Sequence, residues 1–162
     1  MKKTLIALGL VTATLPMMVQ AQDGVCEKVV PTKEAAMATF HATYMPSFIP
    51  VLVNSEKELN LTAQQCQAFN KFRAEKAPNG KKLIEQIMKL EQEATQAVLS
   101  GESKEQILAR NAKLAELREK LVKGKLNCQG FVKKQLTDEQ YQKLVSEVYP
   151  AKMAAAKKRF GL

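Results

Sequence analysis

The chain has 162 residues, with 25 Lys and Arg against 16 Asp and Glu, a formal net charge of +9 at neutral pH. The absence of tryptophan and the low aromatic content of 6% argue against a sheet protein, and no segment keeps the period-two alternation of a half-buried strand. The basic residues are dispersed among acids and the motifs of base-reading proteins are missing, so nucleic-acid binding is not expected.

Taken in chain order, the first residues read as a secretory signal. Lys2 and Lys3 form a charged start, Leu5 to Leu15 an apolar run, and Val19-Gln20-Ala21 a small-residue cleavage site. The run is shorter than the roughly 20 residues a spanning helix requires. Residues 1–21 are therefore expected to be a signal peptide, residues 22–31 a flexible leader, and residues 32–162 a single helical domain. Cleavage after Ala21 would leave 141 residues and remove two lysines and no acid, lowering the net charge from +9 to +7. Such a surface steers acidic partners, anionic lipid or unfolded polypeptide toward it.

The first helical region is predicted from Thr32 to about Glu58, kinked or split by Pro46 and Pro50, because a proline inside a helix removes a hydrogen bond and clashes with the turn before it. A second helix is predicted from Thr62 to about Leu99, with a break or bend at Ala77-Pro78-Asn79-Gly80. Ser100-Gly101-Glu102 is a reversal. Ser103, with Gln106 three residues on, is a capping box that opens a third helix, in which Gly124 and Gly130 are weak points. A fourth helix is predicted from Thr137 to about Arg159, broken at Pro150. Leu83, Ile87, Leu90, Ala94 and Ala97 make one apolar stripe, and Ile107, Leu114, Leu117 and Leu121 a second that continues to Cys128. Two such stripes joined by a short turn predict an αα-hairpin. So thin a structure buries little core alone, which makes a dimer or a bound partner the expected remedy.

One phrase occurs twice. Leu61-Thr62-Ala63-Gln64-Gln65 and Leu136-Thr137-Asp138-Glu139-Gln140 share the pattern Leu-Thr-x-x-Gln. Each is a capping box: Thr62 or Thr137 accepts from the amide three residues on, Gln65 or Gln140 reaches back, and Leu61 or Leu136 can staple onto the next turn. Each start contributes about 1 kcal/mol to its helix. Capping alone does not say why both starts use the same letters, since Ser, Asp, Asn or Glu would also serve.

The paired motifs, following a signal peptide in a basic helical chain, resemble the Spy/CpxP family of small periplasmic LTxxQ proteins over about residues 46–149. The resemblance implies a periplasmic, all-α, cradle-shaped antiparallel homodimer that acts as an ATP-independent holdase for unfolded or stress-damaged envelope proteins. It also implies an alternative, a signalling accessory or metal sensor that docks on the periplasmic domain of a sensor kinase.

Three cysteines in an exported chain suggest one disulfide with one cysteine left over. Cys66 and Cys128 both point inward on neighbouring helices, and a Cys66–Cys128 disulfide is expected if the Pro78 bend closes the distance between them. Cys26 would then be free or link two subunits. No Cys-x-x-Cys is present, and cysteines so far apart lack metal-ligand spacing.

No catalytic constellation is visible. There is one histidine, and His-Glu-x-x-His, Gly-x-Ser-x-Gly and phosphate-binding glycine loops are absent, so neither an enzyme nor a cofactor is expected. Met37, His41 and Met45 step by four and could offer sulfur and imidazole to copper(I), but packing methionines around a wet histidine are the preferred reading. For client capture the candidates are Phe40, Tyr44, Met45, Phe48 and Ile49, with Lys71, Arg73, Lys81 and Lys82. Phe48 and Ile49 are expected to serve packing first, since Phe and Ile are usually inside.

Overall fold

The computed structural model describes residues 25–161, so the expected signal peptide (1–21) and the first three residues of the expected leader lie outside the described residues. The described residues form helices and no strand, and none of those helices is long and apolar enough to cross a membrane.

Helix α1 (Lys33–Ala42) begins where the Thr32 side chain accepts from the Ala35 amide at 3.2 Å, with Glu34 in its positive first turn. That amide environment and the Thr32 hydroxyl hold the Glu34 carboxyl below its ordinary value. The helix stops at extended Thr43, ahead of Pro46, which disfavours a helical Met45. Helix α2 (Phe48–Asn54) then starts, so the predicted split of the first region falls at Pro46. Pro50 sits in the first turn of α2, where amides have no intrahelical partner, and breaks nothing.

A turn over residues 55–60 leads to the longest element, α3 (Ala63–Leu99). No break interrupts α3 at residues 77–80; Pro78 lies inside a continuous helix, on an exposed turn where water can serve the carbonyl its ring leaves unpaired. At the far end the Glu102 amide donates to the Ala97 carbonyl at 3.0 Å and the Gly101 amide to Val98 at 3.2 Å, a Schellman closure. Gly101 has φ 75°, a left-handed conformation that suits glycine. Helix α4 (Lys104–Gln135) follows from the Ser103–Gln106 capping box and runs through Gly124 and Gly130 uninterrupted.

After Leu136 the chain turns into α5 (Asp138–Lys143), a π-helical turn (Leu144–Val148) and α6 (Tyr149–Phe160), in one continuous helical run. Pro150 does not break this run. The π turn, closed by the Tyr149 amide on the Leu144 carbonyl, widens the backbone just before the proline ring must be accommodated. Counted this way the described chain has five helices, one more than expected, because the first region divides in two.

Helices α3 and α4 make the predicted hairpin, with α1 packed on α3. The core lies in two clusters. The smaller, in the hairpin shaft, joins Ile87 to Leu117, Leu121 and Ala42 of α1. The larger, at the hairpin base, packs α2 and the helical run from Asp138 against α3 and α4 through Leu52, Val53, Phe69, Val132, Leu144 and Val148. Aromatic contacts tighten that base: Phe72 stacks on Phe131 at 4.1 Å, and Phe48 meets Tyr149 edge-on at 5.3 Å.

Candidate functional site

The two Leu-Thr-x-x-Gln motifs meet at the hairpin base. Each forms its own capping box, with the glutamine Oε1 accepting from the threonine amide at 2.9 Å in the first and 3.0 Å in the second. That leaves each glutamine an NH₂ group to donate. Gln65 Nε2 donates to the Gln135 carbonyl and to Gln140 Oε1, both at 2.8 Å. Gln140 Nε2 donates to the Asn60 carbonyl at 3.1 Å, to Leu59 at 3.2 Å and to Gln65 Oε1 at 3.3 Å. Asn60 precedes Leu61, and Gln135 precedes Leu136. Each motif thus caps its own helix and ties down the residue that leads into the other, an arrangement with local twofold character. Leu61 and Leu136 are buried beneath it.

The leader is tied to this base as well. The disulfide joins Cys26 to Cys66, with Cα atoms 4.6 Å apart, and corrects the expected Cys66–Cys128 pairing. Cys66 reaches toward the leader, whereas Cys128 is the free cysteine, half-buried beside the start of α2. Burial pushes the Cys128 thiol up; nearby Lys125 and the Ile49 amide oppose that shift. The Val25 and Cys26 amides donate to Glu56 at 3.3 and 3.4 Å, and the Glu27 amide to Asn70 Oδ1 at 3.1 Å. Asn54 both accepts from the Val29 amide at 3.0 Å and donates to its carbonyl at 2.6 Å. Residues 25–29, expected in a flexible leader, are a strap held by side chains of α2, α3 and the turn between them. Sequence reasoning missed Cys26, Asn54, Glu56 and Asn70 because their partners lie 25–45 residues away. Only the presence of Cys26 hinted at a tie.

The capture candidates separate into three groups. Phe48 and Ile49 are buried in the base cluster, as the packing reading has it. Arg73 is occupied by the Glu27 carboxylate and carbonyl of the strap. Phe40, Tyr44, Lys71, Lys81 and Lys82 are exposed, Tyr44 at 86%, while Met45 is half-buried. Lys81 has Glu85 at 3.8 Å one turn on.

The Met37, His41 and Met45 face does not form as a helical stripe, because α1 ends at Ala42 and Met45 lies beyond it. His41 Nε2 instead meets Glu91 Oε2 at 2.7 Å, and the other Glu91 oxygen pairs with Arg118. Glu91 therefore links α1, α3 and α4 across the hairpin shaft. At the tip, Arg110 grips Glu102 with two bonds of 2.9 and 3.1 Å, which raises the guanidinium pKa.

The chain matches no family model, no curated protein and no solved structure.

Proposed function

We propose that this chain is an exported, periplasmic relative of the Spy/CpxP proteins that holds unfolded or stress-damaged envelope proteins without ATP, as an antiparallel cradle-shaped homodimer. The observation that carries the reading is an apolar surface left uncovered on a basic helical frame. On and just after α1, Met37, Phe40 and Tyr44 stand exposed, and Val98, Leu99 and Leu108 are exposed at the hairpin tip. Exposed Lys71, Lys81 and Lys82 lie on the same long α3. A partly unfolded chain offers apolar groups and often negative charge. Scattered apolar contacts between lysines hold such a chain weakly, and the lysines draw it in over distance. The interlocked motifs support the family resemblance, because the repeated glutamine has a role that helix capping alone does not require.

Light scattering of a chemically unfolded model client tests the reading. The chain is expected to suppress aggregation at near-stoichiometric ratios, less well at high salt. Phe40→Ser with Tyr44→Ser should lose much of that effect while keeping the helical circular dichroism, since both residues are at the surface. Sedimentation of the free protein should give a dimer. No suppression at any salt would overturn the holdase reading. Tight binding to one folded acidic sensor domain in its place would favour the signalling accessory.

A further inference from the structure

The Cys26–Cys66 disulfide has a carboxylate beside it. A carboxylate oxygen of Glu56 and the two sulfurs all lie within 4.8 Å of one another. The turn over residues 55–60 places Glu56 there, and the only hydrogen bonds to its carboxylate among the described residues are the long ones from the Val25 and Cys26 amides. A cleft of about 620 Å³ opens onto the corner, lined by Cys26, Lys28, Ser55, Glu56 and Lys57 among others. Ser55 supplies a second, independent sign. It is 3% exposed, and its Oγ has no hydrogen-bond partner among the described residues. A buried hydroxyl without a partner is costly and uncommon, and Ser55 is among the residues that line the same cleft.

We propose that reduction of the Cys26–Cys66 disulfide turns this corner into a site for one divalent cation of the zinc class, held by the two thiolates and the Glu56 carboxylate, with water or the Ser55 hydroxyl in the fourth position. A dithiol reductant supplies two electrons and two protons, breaks the S–S bond and itself closes to a disulfide. The cation then displaces both thiol protons to solvent, and two metal–sulfur bonds replace the S–S bond. Two sulfurs and an oxygen with one open position suit tetrahedral zinc, and thiolates select against magnesium and calcium. Tetrahedral zinc with bonds of about 2.3 Å holds its sulfurs roughly 3.8 Å apart. The disulfide must therefore open, and the shift falls to Cys26, which lies outside any helix and is held by a long hydrogen bond, while Cys66 is fixed in the first turn of α3. Thiolates and carboxylate sum to three negative charges against two on the ion, and Lys28 along the cleft offsets the remainder. The cleft also gives the ion a route in from solvent.

The test uses the full chain carrying Cys128→Ser, so that only two thiols remain, with Co²⁺ as the spectroscopic probe. The chain is reduced with a dithiol, freed of reductant without air, and titrated. One equivalent of Co²⁺ should bind with a sulfur-to-cobalt charge-transfer band and tetrahedral visible bands, and one equivalent of Zn²⁺ should displace it. The oxidised chain should show neither band. Glu56→Gln, checked for helix in the oxidised form, should weaken Co²⁺ binding at least tenfold after reduction. Should reduction cost helix, the ion is expected to restore it on binding, because ligand assembly is then folding. The absence of a charge-transfer band in the reduced chain, whether helical or not, would overturn the proposal. So would equal uptake by the oxidised chain, or full-strength binding in Glu56→Gln.

Discussion

Gln65 and Gln140 exchange side-chain amide hydrogen bonds across the hairpin base, 2.8 Å in one direction and 3.3 Å in the other. Each oxygen is also the cap acceptor for its own threonine amide, so the donating NH₂ is what distinguishes glutamine from glutamate here. Glutamate at the third helical position would cap as well. Gln65→Glu and Gln140→Glu should nevertheless each cost about 2 kcal/mol, because they leave part-buried carbonyls unpaired and set a charge against the partner oxygen. Gln106 supplies the control: it closes the capping box at the hairpin tip, is exposed, and has no such cross-partner among the described residues. Gln106→Glu should stay within about 0.5 kcal/mol of the parent. Urea unfolding of the three variants decides the matter, and equal costs at all three positions would refute the interlock.

The same pair should be energetically coupled. Gln65→Ala and Gln140→Ala remove overlapping sets of bonds, so the double variant should lose less than the two single losses together. A coupling of about 0.5–3 kcal/mol is expected for residues in one network. Strict additivity in a double-mutant cycle would mean that each glutamine acts on its own helix only.

Features decided within a few residues were legible in the sequence. The three capping boxes, the Ser100-Gly101 reversal and the apolar stripe through Ile87 rest on local spacing, and all three appear in the structure. Features that needed a distant partner were not. Cys66 reads as a disulfide half, and the inward-facing Cys128 is the expected mate in an exported chain although hairpin register sets it too far away; nothing local announces a strap 40 residues upstream. Propensity weighs against Pro78 and Pro150, so the sequence suggests a break or bend at the first and a break at the second. Helical turns on both sides keep α3 continuous through the first, and a π turn makes room for the second. At the paired motifs the repetition of letters was visible. Its reason, that each glutamine donates to the chain entering the other motif, required the fold.

The disulfide should matter to stability. It closes a loop over a sequence separation of 40 residues, for which the chain-entropy account gives about 4 kcal/mol and typical measurements about 2–4. Non-reducing peptide mapping should find Cys26 joined to Cys66 and Cys128 as a thiol. Cys26→Ser should lower the urea midpoint, while Cys128→Ser should leave the bridge intact. A Cys66–Cys128 peptide would contradict the strap.

Pro78 offers a gain. Its ring occupies an exposed turn in the middle of α3, where it removes one amide donor from the helical ladder. Pro78→Ala restores the donor, and helix-interior propensities set the available stabilisation at up to about 3 kcal/mol. A rise in the thermal midpoint with unchanged helical content is the expected result. A loss of stability would show that the proline shapes α3 for a contact made elsewhere on the shaft.

The Cys128 thiol reports on the wedge between α4 and the start of α2. Burial raises its pKa, so the folded state prefers the neutral thiol. The direction of the pH effect follows. Below the ordinary thiol range, near pH 8.5, this preference favours the fold in full; it is lost as pH climbs through the raised folded value. Lys125 works the other way, because burial lowers its pKa and the folded state gains relative stability as the ammonium is titrated. Its ammonium donates to the Ser47 hydroxyl, just ahead of α2. Lys125→Met removes that opposing contribution and the positive charge that helps ionise Cys128. Iodoacetamide labelling of the native chain should therefore be slower than labelling of a cysteine peptide at pH 8, with its pH midpoint moved upward. In Lys125→Met the midpoint should move further up, and the alkaline loss of stability should become more pronounced. A labelling midpoint at or below that of the peptide would place Cys128 in water and remove it from the core.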